Sequence, residues 1–393
     1  MSLATDLSAR MPDASASSEQ GALTRAMTDL GGPALGRPLR GWWACFAVAV
    51  LALAVGVIAV TYQLRTGIGT WGLNRSVGWA YDITNFVFWI GVGHAGTLIS
   101  AILLLFRQRW RAGVSRAAET MTIIAIVCAA IFPVIHLGRP WLMLWVLPLP
   151  NVRGPLWVNF SSPLTWDVFA ILTYFVVSLL FWYLGLLPDF ASLSDAATGW
   201  RRRVFRMLSL GWNGSLRTWA RYERTCLLLA GLATALVISV HSVVSFDFAA
   251  SLVPGWHTTI FPPYFVVGAI FSGMAMVLAL LVVMRRAMAL QSYVTLPQLD
   301  ALCKIMLATS GLLGLAYLIE TLTALYGNHG PDRFMLMLRM QGPLAAYYWA
   351  MIACNVLVPQ LLWSGRVRRN LPLVFAIALL ALAGMWLERF LII

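Results

Sequence analysis

Nine stretches of the chain run almost without charge: 42–62, 84–106, 117–136, 164–186, 225–245, 263–284, 301–326, 343–363 and 371–391. At 1.5 Å of rise per residue each makes a helix able to cross a hydrocarbon layer of about 30 Å. The polar positions collect in the connections between them. This pattern predicts an all-α integral membrane protein with nine transmembrane helices. Residues 1–41 are rich in Ser, Ala, Asp and Gly and hold no early apolar core. They predict a disordered or partner-ordered tail rather than a cleaved signal peptide.

Composition agrees, with 60% hydrophobic and 11% charged residues against a charged share of about a quarter in soluble domains. The net charge of +13 does not point to nucleic acid, because the basic residues follow the loops instead of gathering on one soluble face. Most of the 28 Lys and Arg residues lie in the N-terminal tail and in the second, fourth, sixth and eighth connections. That alternation predicts a cytoplasmic N-terminus. In the fourth connection, "WRRRVFRMLSLGW" from Trp200 to Trp212 reads as a basic amphipathic helix on the inner leaflet. The five cysteines, Cys45, Cys128, Cys226, Cys303 and Cys354, stand singly in or beside apolar helices with no Cys-x-x-Cys pair. They read as small buried hydrophobes, not as a zinc or iron–sulfur site.

An internal repeat organises the helices. "FWIGVGHAGTLISAILLLFRQR" at 88–109 aligns with "FVVGAIFSGMAMVLALLVVMRR" at 265–286, pairing Phe88, Gly91, Gly96 and Arg109 with Phe265, Gly268, Gly273 and Arg286. Trp166 pairs with Trp349 at a similar spacing. The repeat predicts a lone helix at 42–62 followed by two consecutive four-helix bundles, 84–245 and 263–391. His94 faces Phe271 in the alignment and Asp167 faces Ala350, so ionisable groups, and with them the chemistry, belong to the first bundle.

A charged side chain near the bilayer centre costs about 2.5–3.5 kcal/mol on insertion scales, less near the interface, so each ionisable residue there is a candidate functional residue. In "AAIFPVIHLGRPW" His136 closes the third helix, with Arg139 just beyond. Asp167 in "SPLTWDVFA" opens the fourth, and His241 and Asp247 in "HSVVSFDFA" approach the end of the fifth. Asp82, Asn85 and His257 lie at the same membrane level. Singly, His136 reads equally as an interfacial histidine, Asp167 as a helix cap and Arg139 as a headgroup contact. Together they describe a proton-accepting pocket beside an apolar chamber. His94 reads as a histidine bonded across a tight helix pair, Glu119 as a solvated acid, and Glu320, on a face with Tyr317 and Thr323, as a relay step or a buried acid. Trp141, Trp145 and Trp157 place an aromatic, Pro-rich connection at the outer surface, suited to a docking protein or to an interfacial belt.

The segments "TNFVFWIGVGHAGTLISAILLLFRQRW", "IFPVIHLGRPW", "SPLTWDVFA", "HSVVSFDFA" and "GWHTTIFPPYFVVGAIFSGMAM" resemble the NrfD-type (polysulfide reductase membrane subunit) family. Within it they are most similar to the ActC-type quinol-oxidising subunit of alternative complex III. The resemblance runs from about Trp71 to Ile393. It implies a subunit of a respiratory or photosynthetic complex in the bacterial cytoplasmic membrane, without haem or iron–sulfur cluster of its own. Such a subunit binds menaquinol or ubiquinol near the periplasmic face of the first bundle and passes electrons to an iron–sulfur subunit docked there. It further implies a second NrfD-like membrane partner, a mono- or multihaem cytochrome c downstream, and coupling to proton translocation. His136 and Asp167 would be catalytic, and His136, Arg139, Asp167, His241 and Asp247 would contact the quinol. Members of this type usually carry one more helix after the ninth.

Two other classes compete. A b-type cytochrome needs two axial ligands at one depth; His94 and His241 are the sole pair, and the sequence places them a turn or more apart. An ion-translocating membrane anchor would use Glu119 and Glu320 and would tolerate loss of His136 and Asp167.

Overall fold

The computed structural model describes residues 40–73, 78–145, 161–327 and 329–393. The expected tail therefore lies outside the described residues up to its last two positions, as does Trp157. The described chain is helical and contains no strand. Its helices are α1 (Arg40–Thr66), α2 (Tyr81–Leu105), α3 (Ser115–His136), α4 (Pro163–Ala196), α5 (Gly199–Leu208), α6 (Leu216–Ala249), α7 (Phe261–Ala287), α8 (Leu296–Tyr326), α9 (Gly330–Gln341), α10 (Ala345–Ile352), α11 (Gly365–Arg369) and α12 (Leu371–Ile392). Nine spans among the described residues are long and apolar enough to cross a membrane, the eighth being Ala345–Trp363. The chain is a multi-pass membrane protein.

That eighth span is not one regular helix. After α10 it widens into a π-turn at Ala353–Leu357 and tightens into a 3₁₀ segment at Val358–Trp363. Pro359 has no N–H to give the Asn355 carbonyl one turn earlier. Ser310 on α8 donates to that carbonyl instead, at 2.7 Å, so a tertiary bond repairs what proline removes.

The chain divides into two compact units, Met1–Tyr62 with Gly185–Ala220, and Gln63–Leu184 with Arg221–Ile393. In the first, α5 confirms the amphipathic helix expected after Trp200. Phe205 stacks on Phe190 at 6.3 Å, while Trp200, Val204 and Met207 stay exposed.

In the second unit α2 is the central helix, packed against α3, α7 and α12. Small residues let it be so. A methyl group added at Gly96 would lie 2.3 Å from the Ala118 carbonyl oxygen of α3, and one added at Gly273 of α7 would lie 2.0 Å from Ala95 Cβ. No side chain fits either contact, which is the membrane rule that small residues set helix approach. Cys226 and Cys303 are buried as expected, whereas Cys45 is exposed.

Candidate functional site

At the end of the second unit where α3 finishes, the helices part around a cavity of about 350 Å³. Its described wall is apolar, from Trp79, Ile83, Phe86 and Val87 to Ile171 on α4 and Phe248 on α6; its ionisable groups among the described residues are His136, Asp167 and Asp247. The volume is that of a small-molecule site with a few convergent polar groups.

His136 is the last residue of α3. The carbonyls there have no intrahelical donors; Gln63 Nε2 supplies one to Ile135 O at 2.8 Å, and Gln63 Oε1 in turn accepts from the Trp71 indole at 3.2 Å. Trp71 stacks on the imidazole with ring centroids 5.9 Å apart. Asp82, in the first turn of α2, meets His136 Nδ1 through Oδ2 at 2.5 Å. A carboxylate accepts only, so Nδ1 carries the hydrogen between them, and in the neutral imidazole Nε2 is then the acceptor.

Asp167 and Asp247 come from α4 and α6; Asp167 is buried and Asp247 half-buried, and the two carboxyl groups are close neighbours. Two carboxyl groups this close disfavour a second charge, and one proton shared between them would leave the pair a single negative charge. Oδ1 of each is buried without a partner. Two open acceptor atoms and one imidazole nitrogen in an apolar chamber suit a neutral ligand that carries hydroxyl groups and gives up protons.

Arg139 and His241, also expected at this site, stand outside the lining of the cavity. Arg139 is exposed past the end of α3. His241 lies about two turns inside α6, buried, with its ring 4.5 Å from that of His94 and edge-on to it. The sequence placed these two histidines at different depths; they are at one depth and in contact. Touching rings leave no space for a porphyrin between them, so the pair does not fit axial haem ligation. His94 also contacts Tyr174, ring centroids 4.4 Å apart, and no side chain bonds the ring nitrogens of either histidine. Among the described residues no group of three or more His, Cys, Asp or Glu is placed to hold a metal ion.

One further expectation changes. Glu119 is buried, not solvated: Ser100 of α2 donates to it, and Arg111 and Arg116 lie 3.5 and 3.6 Å away. The close α2–α3 contact at Gly96 brings Ser100 within reach. Glu320, read as a relay step or a buried acid, is a part-buried acid that accepts from Arg339 at 3.1 Å. Asp82 is the residue whose role the sequence reading missed. Its signal was an acid in the opening turn of an apolar helix, at the level of His136.

A multi-pass helical protein with a carboxyl and imidazole chamber near one end of its spans is the class so defined. The polysulphide reductase NrfD family model matches residues 70–393, and the chain belongs to the NrfD family. It is 26% identical over 354 residues to a membrane subunit assigned to a dimethyl sulfoxide reductase in Halobacterium salinarum, across 89% of this chain and 75% of that one. It is 25% identical over 248 residues to a selenate reductase subunit of Mesobacillus selenatarsenatis, across 60% and 55%. With the Hdr-like menaquinol oxidoreductase integral membrane subunit of Archaeoglobus fulgidus it shares 23% identity over 239 residues, across 60% and 49%. The chain thus spans about half the length of the last two.

Proposed function

We propose that this chain is the quinol-oxidising membrane subunit of a multi-subunit oxidoreductase. The observation that carries the reading is the cavity lined by His136 and by Asp167 and Asp247, each of the two acids with an unpartnered buried carboxyl oxygen, among otherwise apolar described residues. Family membership and the menaquinol oxidoreductase subunit among the relatives support it.

A quinol gives up two protons and two electrons. His136 accepts one proton at Nε2, with Asp82 stabilising the imidazolium that forms, and the Asp167–Asp247 pair, which has one vacancy, accepts the other. Electrons leave to an iron–sulfur partner docked over this end of the helices, the side we assign to the outside from the basic loops. The assignment to an alternative complex III-like assembly in a bacterial inner membrane, with a second NrfD-like subunit and a cytochrome c downstream, belongs to the same proposal. Bound to the complex, a quinol-analogue inhibitor should give density between His136 and Asp167. Density elsewhere, with this cavity filled by side chains, would refute the reading.

A row of buried polar groups continues inward from this level and supports proton movement as part of the function. The His94–His241 pair adjoins Tyr174, whose hydroxyl donates to Gly93 O at 3.1 Å; Thr97 and Ser178 lie 3.4 Å apart beside it, and Ser100 meets Glu119. The acid sits near the far end of α3. Glu119→Gln in the whole complex is expected to lower the protons ejected per electron while electron transfer stays within about twofold, because it cannot carry a proton as a carboxylate does. Equal loss of both, or loss of neither, would count against the route.

A further inference from the structure

The cavity is too small to enclose a head group together with a long isoprenoid chain, and its walls differ. The α2 and α6 sides are sealed: Ile83, Phe86, Val87 and Phe248 are 9% exposed or less. The α3 and α4 sides reach the surface, with Ala130 exposed and Met143, Leu164 and Leu172 at 43%, 52% and 53%. All eight line the same cavity. At their opposite ends α3 and α4 are tied by the Trp182 indole, which donates to Thr120 Oγ1 at 3.0 Å. The two helices are pinned at one end and separated by an apolar mouth at the other.

We propose that this mouth is a lateral portal through which the tail of a lipid-soluble substrate lies while its head group occupies the cavity, and that Ala130 sets the portal's width. The inference rests on the quinol reading above. An opening onto a lipid-facing surface admits a chain that never leaves hydrocarbon, so no apolar area has to cross water. The described mouth residues are apolar, while His136, Asp167 and Asp247 also line the cavity; an amphipathic ligand places its head against these groups and its tail at the mouth. Among the described mouth residues Ala130 has the smallest side chain, so enlarging it narrows the opening while leaving His136, Asp167 and Asp247 unaltered.

The test uses the assembled complex in liposomes and two quinols with one head group, one bearing a long isoprenoid tail and one bearing none. Ala130→Phe is expected to lower the ratio of kcat/KM for the tailed to the tail-less quinol about tenfold. Val127→Phe, on the exposed surface of the same helix one turn away and outside the lining, is expected to leave that ratio unchanged. Ala130→Leu, a smaller plug, gives a partial fall and serves if the Phe variant does not assemble. An unchanged ratio in both Ala130 variants, or an equal fall in Val127→Phe, overturns the portal while leaving quinol oxidation standing. A wild-type complex inert to both quinols overturns the quinol reading itself.

Discussion

Asp167→Asn is expected to lower quinol-dependent electron transfer by about 10²–10⁴-fold, the range of a lost general base, without dissociating the complex. The side chains are isosteric, and Asn keeps donors and an acceptor for its bond to Asp247, so packing in α4 is preserved. What disappears is the shared proton vacancy. Two neighbouring carboxyl groups can share one proton; with Asn at 167, Asp247 stands alone in an apolar chamber, no longer backed by a second acid. His136 then faces the second deprotonation without a partner. Turnover with a quinol and the yield of intact complex on native gels would be measured together. Near-normal turnover in an intact complex would remove the carboxyl pair from the mechanism. Loss of the complex itself would give Asp167 a structural role instead.

Much of this site was legible in the sequence, and the reason is topological. Apolar runs of transmembrane length fix the level of a residue near a helix end to within a turn, so His136 at the close of α3, Asp167 early in α4 and Asp247 late in α6 could be brought to one level by counting. Residues deep in a span obey no such rule. His94 and His241 meet because α6 begins at Leu216, well before the apolar run at 225, and continues to Ala249, so its depth scale was misread. Glu119 looked solvated because its burial depends on Ser100 and on a helix approach set by Gly96, contacts that no periodicity encodes. The Asp82–His136 bond joins residues 54 positions apart, and only the fold makes them neighbours.

The span least understood from sequence is α12, which read as an ordinary apolar run although it carries Glu388 and Arg389. Both are buried, at 0% and 2% exposure, with Arg389 Nη1 2.7 Å from Glu388 Oε1. The Tyr317 hydroxyl donates to Glu388 and itself accepts from Asn355 Nδ2 at 2.8 Å; Arg389 lies over the Phe265 ring at 4.3 Å. Glu388→Ala leaves the buried Arg389 guanidinium without its carboxylate in a low-dielectric core. It is expected to cost about 3–5 kcal/mol, as breaking one side of a buried pair does. The double replacement Glu388→Leu with Arg389→Met removes both charges at similar volume, and it should recover most of that loss. Thermal unfolding in nanodiscs, followed by tryptophan fluorescence, would compare wild type, single and double variants. A single variant as stable as wild type, or a double variant no better than the single, would show that the pair does not hold α12 in place. If the double variant folds and still oxidises quinol, the charges are structural; if it folds but ejects fewer protons per electron, evolution has kept an expensive pair for transport.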